Sequence, residues 1–244
     1  MCTCKLTLVE NRPIVTTVGL KKNFDTVCAL NGIDLEIGEG RIIGLLGPNG
    51  SGKTTLLKIL AGLYTSYEGK VEIDGQRPGA ETKARVSYLP DRLACSMKQT
   101  PKEIRAIYTD FFEDFQGERF DELMEKFEIS QETAFNEMSK GMIDKVQISF
   151  VMSRKARLYL LDEPLGGVDV AARDHVLDTI LENFDPKATI IVATHLISEI
   201  ERLFDSVIVL KKGQIVLDGS CDEIRQKYGV CLEQTMKEVF SKKV

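Results

Sequence analysis

The sequence predicts an α/β fold in which a parallel sheet is covered by helices. Three observations predict it. Residues 158–161, 189–193 and 207–210 are apolar without polar alternation, the pattern of strands buried on both faces. Helical stretches alternate with them, as crossovers between parallel strands require. A further apolar run, residues 42–46, leads into a glycine-rich loop that opens a helix. The chain has 244 residues, 43% apolar and 28% charged, enough for a sizeable core in one or two domains. Disordered, collagen-like and disulfide-stapled mini-protein classes are thereby excluded.

Taken in order, residues 14–18 and 30–37 read as strands, and Gly38-Glu39-Gly40 turns the chain into the strand at 41–46. The helix at 54–60 follows the glycine loop. Residues 69–73 form a strand that ends at the turn pair Asp74-Gly75, and 86–89 form another. From residue 101 to about 154 the pattern turns helical. Phe111, Phe112 and Phe115 fall at i, i+1 and i+4, and Phe120, Leu123, Met124 and Phe127 at i, i+3, i+4 and i+7. These aromatics are expected to pack the core of an inserted helical unit. Residues 170–184 and 198–204 read as helices between the buried strands, and Lys212-Gly213 turns into a last strand at 215–217. Leu232, Met236, Val239 and Phe240 recur at helical spacing and are expected to pack on their own domain.

Several classes of function are disfavoured. The net charge of −5 argues against nucleic acid as the partner. The longest runs free of Asp, Glu, Lys and Arg, residues 42–52 and 188–198, are 11 residues each, about half of what a spanning helix needs. The first residues lack a signal-peptide layout, so a cytoplasmic location is expected. The six cysteines are scattered and read as free thiols; Cys2 and Cys4 have no second ligand pair at zinc spacing and read as a mobile terminus.

The chemistry starts at Gly47-Pro48-Asn49-Gly50-Ser51-Gly52-Lys53-Thr54-Thr55. This is G-x-x-x-x-G-K-T between a strand and a helix, the context that gives the motif its meaning. The glycines let successive N–H groups curl around phosphate oxygens, and the helix N-terminus adds favourable partial charge. Lys53 would place its ammonium on the outer phosphates, and the Thr54 hydroxyl would ligate Mg²⁺. The strand at 158–161 runs into Asp162, placed to hold Mg²⁺, and Glu163, a second carboxylate placed to orient or deprotonate the attacking water.

With these residues in hand, the chain resembles the nucleotide-binding subunit of ATP-binding cassette (ABC) transporters along essentially its whole length. Residues 47–55 match the phosphate loop and 160–164 the Mg²⁺ and catalytic-base strand. Met138-Ser139-Lys140-Gly141-Met142 lies where the LSGGQ signature sits, Gly166-Gly167-Val168-Asp169 matches the dimer-contact loop, His195 the switch histidine, and Phe24 the adenine-stacking aromatic. The resemblance implies a P-loop NTPase (RecA-like) core with a small antiparallel β subdomain and an inserted α-helical subdomain. Residues 1–244 would form one ATP-binding domain: about 13–90 the β subdomain and phosphate-loop part of the core, 91–155 the helical insert with the signature, 156–218 the rest of the core, and 219–244 C-terminal helices.

The resemblance also implies a mechanism. Two such subunits, identical or different, face head to tail. Ser139 and Gly141 of one contact the γ-phosphate of the ATP held by the other. Glu163 acts as base, His195 holds the γ-phosphate and the geometry of Glu163, and Thr54, Asp162 and Asp91 bear on Mg²⁺. Asp91 stands where the family has glutamine, and Lys140 and Met142 depart from its signature. These departures, with the short tail, are similar to bacterial type-2 exporters of the antibiotic-peptide or drug kind. The expectation is an ATPase on the cytoplasmic face of the membrane, powering export through a separate membrane-spanning subunit. The alternative is a soluble ABC ATPase that remodels or regulates a cytosolic complex.

Overall fold

Residues 13–241 are described by a computed structural model; Cys2 and Cys4 lie outside the described residues. The chain opens with β1 (Val15–Phe24) and β2 (Val27–Ile37), an antiparallel hairpin closed by Asp25 and Thr26, with Asp25 at positive φ. Then come β3 (Ile42–Leu46), α1 (Lys53–Leu60) and β4 (Glu68–Ile73). Strand β4 adds to the other edge of β1, making a three-stranded antiparallel sheet. At its end Asp74 and Gly75 both take positive φ, as the turn signal predicts. A single helical turn, α2 (Ala80–Lys83), leads to β5 (Val86–Leu89).

The helical stretch breaks into α3 (Pro101–Phe111), α4 (Gly117–Lys126) and α5 (Lys140–Met152). Thr100 caps α3 through a reciprocal box with Glu103, and Pro101 takes the first helical position. The rest of the core follows as β6 (Leu158–Asp162), α6 (Val170–Glu182), β7 (Thr189–Thr194), α7 (Ile197–Ile200), β8 (Ser206–Lys211) and β9 (Gln214–Ser220). Two helices end the chain, α8 (Cys221–Tyr228) and α9 (Leu232–Ser241).

The second sheet has the order β5-β6-β7-β3-β8-β9, parallel except for β9. Strand β6 shows why its sequence carries no polar alternation. Leu158 and Leu160 enter one core with α1 and the antiparallel sheet; Tyr159 and Leu161 enter the other with α6 to α9. Leu232 and Met236 of α9 are buried in that second core, as their spacing predicts. The helical unit has a third core, aromatic in character: Phe120 stacks on Phe150 at 4.2 Å and Tyr108 on Phe150 at 4.7 Å. Among the described residues no helix is long and apolar enough to cross a membrane.

One expectation is corrected. Phe111 does not pack in the helical unit; it is 78% exposed. Neighbouring residues on a helix point about 100° apart, so Phe111 and Phe112 cannot share a face. Phe112 instead lies under the Arg154 guanidinium, 3.8 Å from its ring centroid. Arg154 is buried, paired with Asp114 and bonded to the carbonyls of Ala84 and Val86 at 3.0 Å, tying the end of α5 to the segment entering β5. The strand expected at 14–18 also runs on to Phe24, past a register shift at Gly19.

Candidate active site

The loop between β3 and α1 owes its shape to two glycines. At Gly47, with φ +151°, any Cβ would overlap the Leu210 carbonyl. At Gly52, with φ +109°, a Cβ would stand 2.6 Å from the Ala29 carbonyl. Helix α1 starts at Gly52 with no side-chain cap and no acidic residue in its first turn, so its first N–H groups are free for an anion. Lys53 turns back over the loop, donating to the carbonyls of Gly47 at 2.8 Å and Pro48 at 3.4 Å. Burial pushes its pKa down, against the opposing charges of Glu163 and Asp162.

Thr54 donates to Asp162 Oδ1 at 3.1 Å, joining α1 to the end of β6. Asp162 is 1% exposed. Burial raises its pKa; the charges of Asp91 and Glu163 add to this, while the Thr54 bond and Lys53 oppose it. Its Oδ2 is buried with no partner. A buried carboxylate beside a threonine hydroxyl is a donor set that fits a hard divalent cation.

Glu163 holds a left-handed backbone, φ 52°, fixed by its N–H to Ala193 O at 2.8 Å and by Gly166 N–H to its carbonyl at 3.0 Å. The twist carries its carboxylate to His195: Oε2 lies 2.9 Å from Nδ1 and accepts from the His195 backbone N–H at 3.4 Å. Phosphate loop, Asp91, Glu163 and His195 thus line one open cleft of about 580 Å³.

The structure brings Asn49, Gly50, Ser51, Gly52, Lys53, Thr54, Thr55, Asp91, Glu163 and His195 together in that cleft, with Asp162 behind Thr54. Gly47 is buried beneath the loop. Phe24 does not line the cleft; it sits at the end of β1, edge-on to Tyr64 at 5.4 Å with the Lys22 ammonium over its ring. Ser139 and Gly141 also stay outside it. Ser139 caps α5, accepting from Met142 N–H at 3.2 Å, and Gly141 faces the Gly167 carbonyl. The exposed Ser139 stands at a helix start with no acidic residue in the first turn.

Val27 and Ala29 enter the cleft without having been anticipated; they are placed by tertiary packing and leave no local signal. Gly166, read from the sequence as part of the dimer-contact loop, and Lys140, read as part of the signature, line this chain's own cleft as well. Lys140, the signature's departure from glycine, lies along Gly167, where its stem and the Asp144 carboxylate fill the space a Cβ would need. An unusual lysine at a glycine position was the available signal.

Residues 30–166 match the family model described as ABC transporter. The chain is 34% identical over 225 residues to an uncharacterized ABC transporter ATP-binding protein of Methanocaldococcus jannaschii, covering 88% of this chain and 81% of that protein. It is 26% identical over 223 residues to the daunorubicin resistance ATP-binding protein DrrA3 of Streptomyces coeruleorubidus, covering 88% and 71%. Among solved structures it is similar to an ATP binding subunit of an ABC transporter, with a TM-score of 0.82 and 26% identity over 93% of this chain and 100% of that one.

Proposed function

Since the chain belongs to the ABC transporter family as an ATP-binding, ATP-hydrolysing subunit, we propose that it powers export of a drug-like or peptide substrate through a separate membrane-spanning subunit. The drug-resistance role named for one relative supports the direction. So do Lys140, Met142 and Asp91, the three departures from the common family pattern. The subunit acts on the cytoplasmic face of the membrane, in a head-to-tail dimer with an identical or a different cassette.

The observation that carries the mechanism is the single cleft in which Lys53, Thr54–Asp162 and Glu163–His195 meet. Lys53 exchanges its two loop carbonyls for the outer phosphates of ATP, which restore the charge partners that burial denies it. Thr54, Asp162 and Asp91 would hold Mg²⁺, which neutralises charge on the phosphates when bound. One or two carboxylates together with substrate phosphates are the usual way such a cation is held. Glu163 takes the proton of the attacking water, and His195 fixes its Oε2 and reaches the γ-phosphate. Phe24 stacks on the adenine from the hairpin. Ser139 and the Gly141 N–H serve the partner cassette's γ-phosphate from the start of α5.

The test is affinity capture of Glu163→Gln with ATP from detergent-solubilised native membranes, with partners identified by mass spectrometry. A multi-span protein at near-stoichiometric yield is the expected result. Recovery of soluble partners alone, with the chain absent from the membrane fraction, overturns the transporter reading in favour of a cytosolic remodelling ATPase.

A further inference from the structure

Two unpaired polar atoms meet behind the phosphate loop. The Tyr88 hydroxyl and Asp162 Oδ2 are both buried, and neither has a hydrogen-bond partner. Their proximity follows from register. Strands β5 and β6 pair in parallel with Tyr88 opposite Leu160. Asp162 lies two residues beyond Leu160 and so projects from the same face. A tyrosine leaning along its strand spans one such step, and its hydroxyl arrives beside the Asp162 carboxylate, with Asp91 close by. The ring's other edge forms part of an apolar groove lined by Leu63, Leu93, Ile104 and Tyr108. Nothing in the phosphate-loop, Asp-Glu or histidine motifs accounts for a phenol here.

We propose that Tyr88 is a positioning residue for Asp162. Its O–H donates to Oδ2 in the nucleotide-loaded cleft and holds the carboxylate plane, so that Oδ1 stays toward Thr54 and the cation. Asp162 has two oxygens to satisfy: Thr54 serves one, Lys53 is bonded to the loop carbonyls, the nearby Gln147 amide donates to the Pro90 carbonyl, and the Tyr88 hydroxyl is a neutral donor with no partner of its own. A neutral donor suits the task. It orients the carboxylate without cancelling the charge that the cation needs.

The inference rests on the reading of this cleft as a magnesium–ATP site, and the experiment separates the two. ATP binding to the purified chain is measured by calorimetry with Mg²⁺ and with EDTA. The quantity read is the gain in affinity that magnesium confers. Tyr88→Phe keeps the ring and removes the hydroxyl; its magnesium gain is expected to fall about tenfold, with ATP affinity in EDTA unchanged. The chain has no tryptophan, so its near-ultraviolet difference spectrum on adding magnesium–ATP reports tyrosines, and the Tyr88→Phe spectrum should lack a component present in the natural chain. Tyr88→Leu, which also opens the groove wall, should lower the magnesium gain no further. A wild-type magnesium gain in Tyr88→Phe overturns the proposal, as does a loss seen only in Tyr88→Leu, which would place the effect in ring packing. If Asp162→Asn retains the full magnesium gain, the cation is not held here, and the parent reading falls together with this one.

Discussion

In the cleft, β3, α1, β6 and β7 bring Lys53, the Thr54–Asp162 pair and the Glu163–His195 pair together within one chain. In the signature segment, the N-terminus of α5 stands exposed, with Ser139 capping its own helix. The first region partners most of its charges internally: the ammonium of Lys53 sits on loop carbonyls and Glu163 on His195, while Asp162 keeps one oxygen unpaired. The second is a helix N-terminus with an exposed Ser139 and no acidic residue in its first turn. Strong charges can be gathered and held by the sheet of a single chain, whereas a bare helix N-terminus is a half-contact that acquires meaning when an anion is brought to it. That difference is what the proposed head-to-tail dimer would use.

The comparison can be broken most severely at Glu163. Replacing it with glutamine keeps the shape of the carboxylate and removes the base. Steady-state ATP hydrolysis should fall by about 10²–10⁴-fold, with ATP binding retained; turnover at the natural rate in a phosphate-release assay would end the role given to this residue. Ser139→Ala probes the other region. It should lower turnover by about tenfold through a lost hydrogen bond to charge, while ATP affinity of the isolated chain, measured by calorimetry at concentrations too low for dimers, stays the same. A fall in that single-chain affinity would mean that the signature serves its own cleft.

The smallest effect sharpens the account of the cleft. Burial raises the pKa of Asp162, so the folded chain holds that proton more tightly than the unfolded one. The contribution to stability is present below the unfolded pKa and is lost as pH rises through the folded value. At neutral pH the nucleotide-free chain therefore carries this carboxylate at a cost. Asp162→Asn should raise its melting temperature by about 3 °C at pH 7, and the gain should shrink as the pH is lowered toward 4. A gain that is independent of pH, or a loss, contradicts the assignment of burial as the dominant cause.

Much of this was readable from local pattern. Strand β6 announced itself because Leu158 to Leu161 lack alternation, and both faces of that strand are indeed covered. Loop and carboxylates were legible because each needs fixed residue types at fixed spacing. What stayed hidden depends on distant contacts. Phe111 looked like core because spacing alone does not say which side of a helix finds a neighbour. Val27 and Ala29 reach the cleft because the hairpin folds over Gly52. Tyr88 meets Asp162 through a strand pairing between residues far apart in sequence. Breaks between α3, α4 and α5 arise where short-range backbone preferences override a helical pattern of apolar residues, as at Phe112, whose extended conformation ends α3.

Lys53 has one more consequence. By donating to Gly47 and Pro48, it occupies in the free chain the place that phosphate oxygens later share, and the loop does not wait for a ligand to take shape. ATP would then meet a loop already held in shape, with less ordering entropy to spend at the encounter. Capture should be limited by diffusion and by the charge of the approaching nucleotide, with little temperature dependence beyond that of solvent viscosity. In the proposed dimer cycle, rate control would then pass to later events: the meeting of two loaded chains and their parting after hydrolysis.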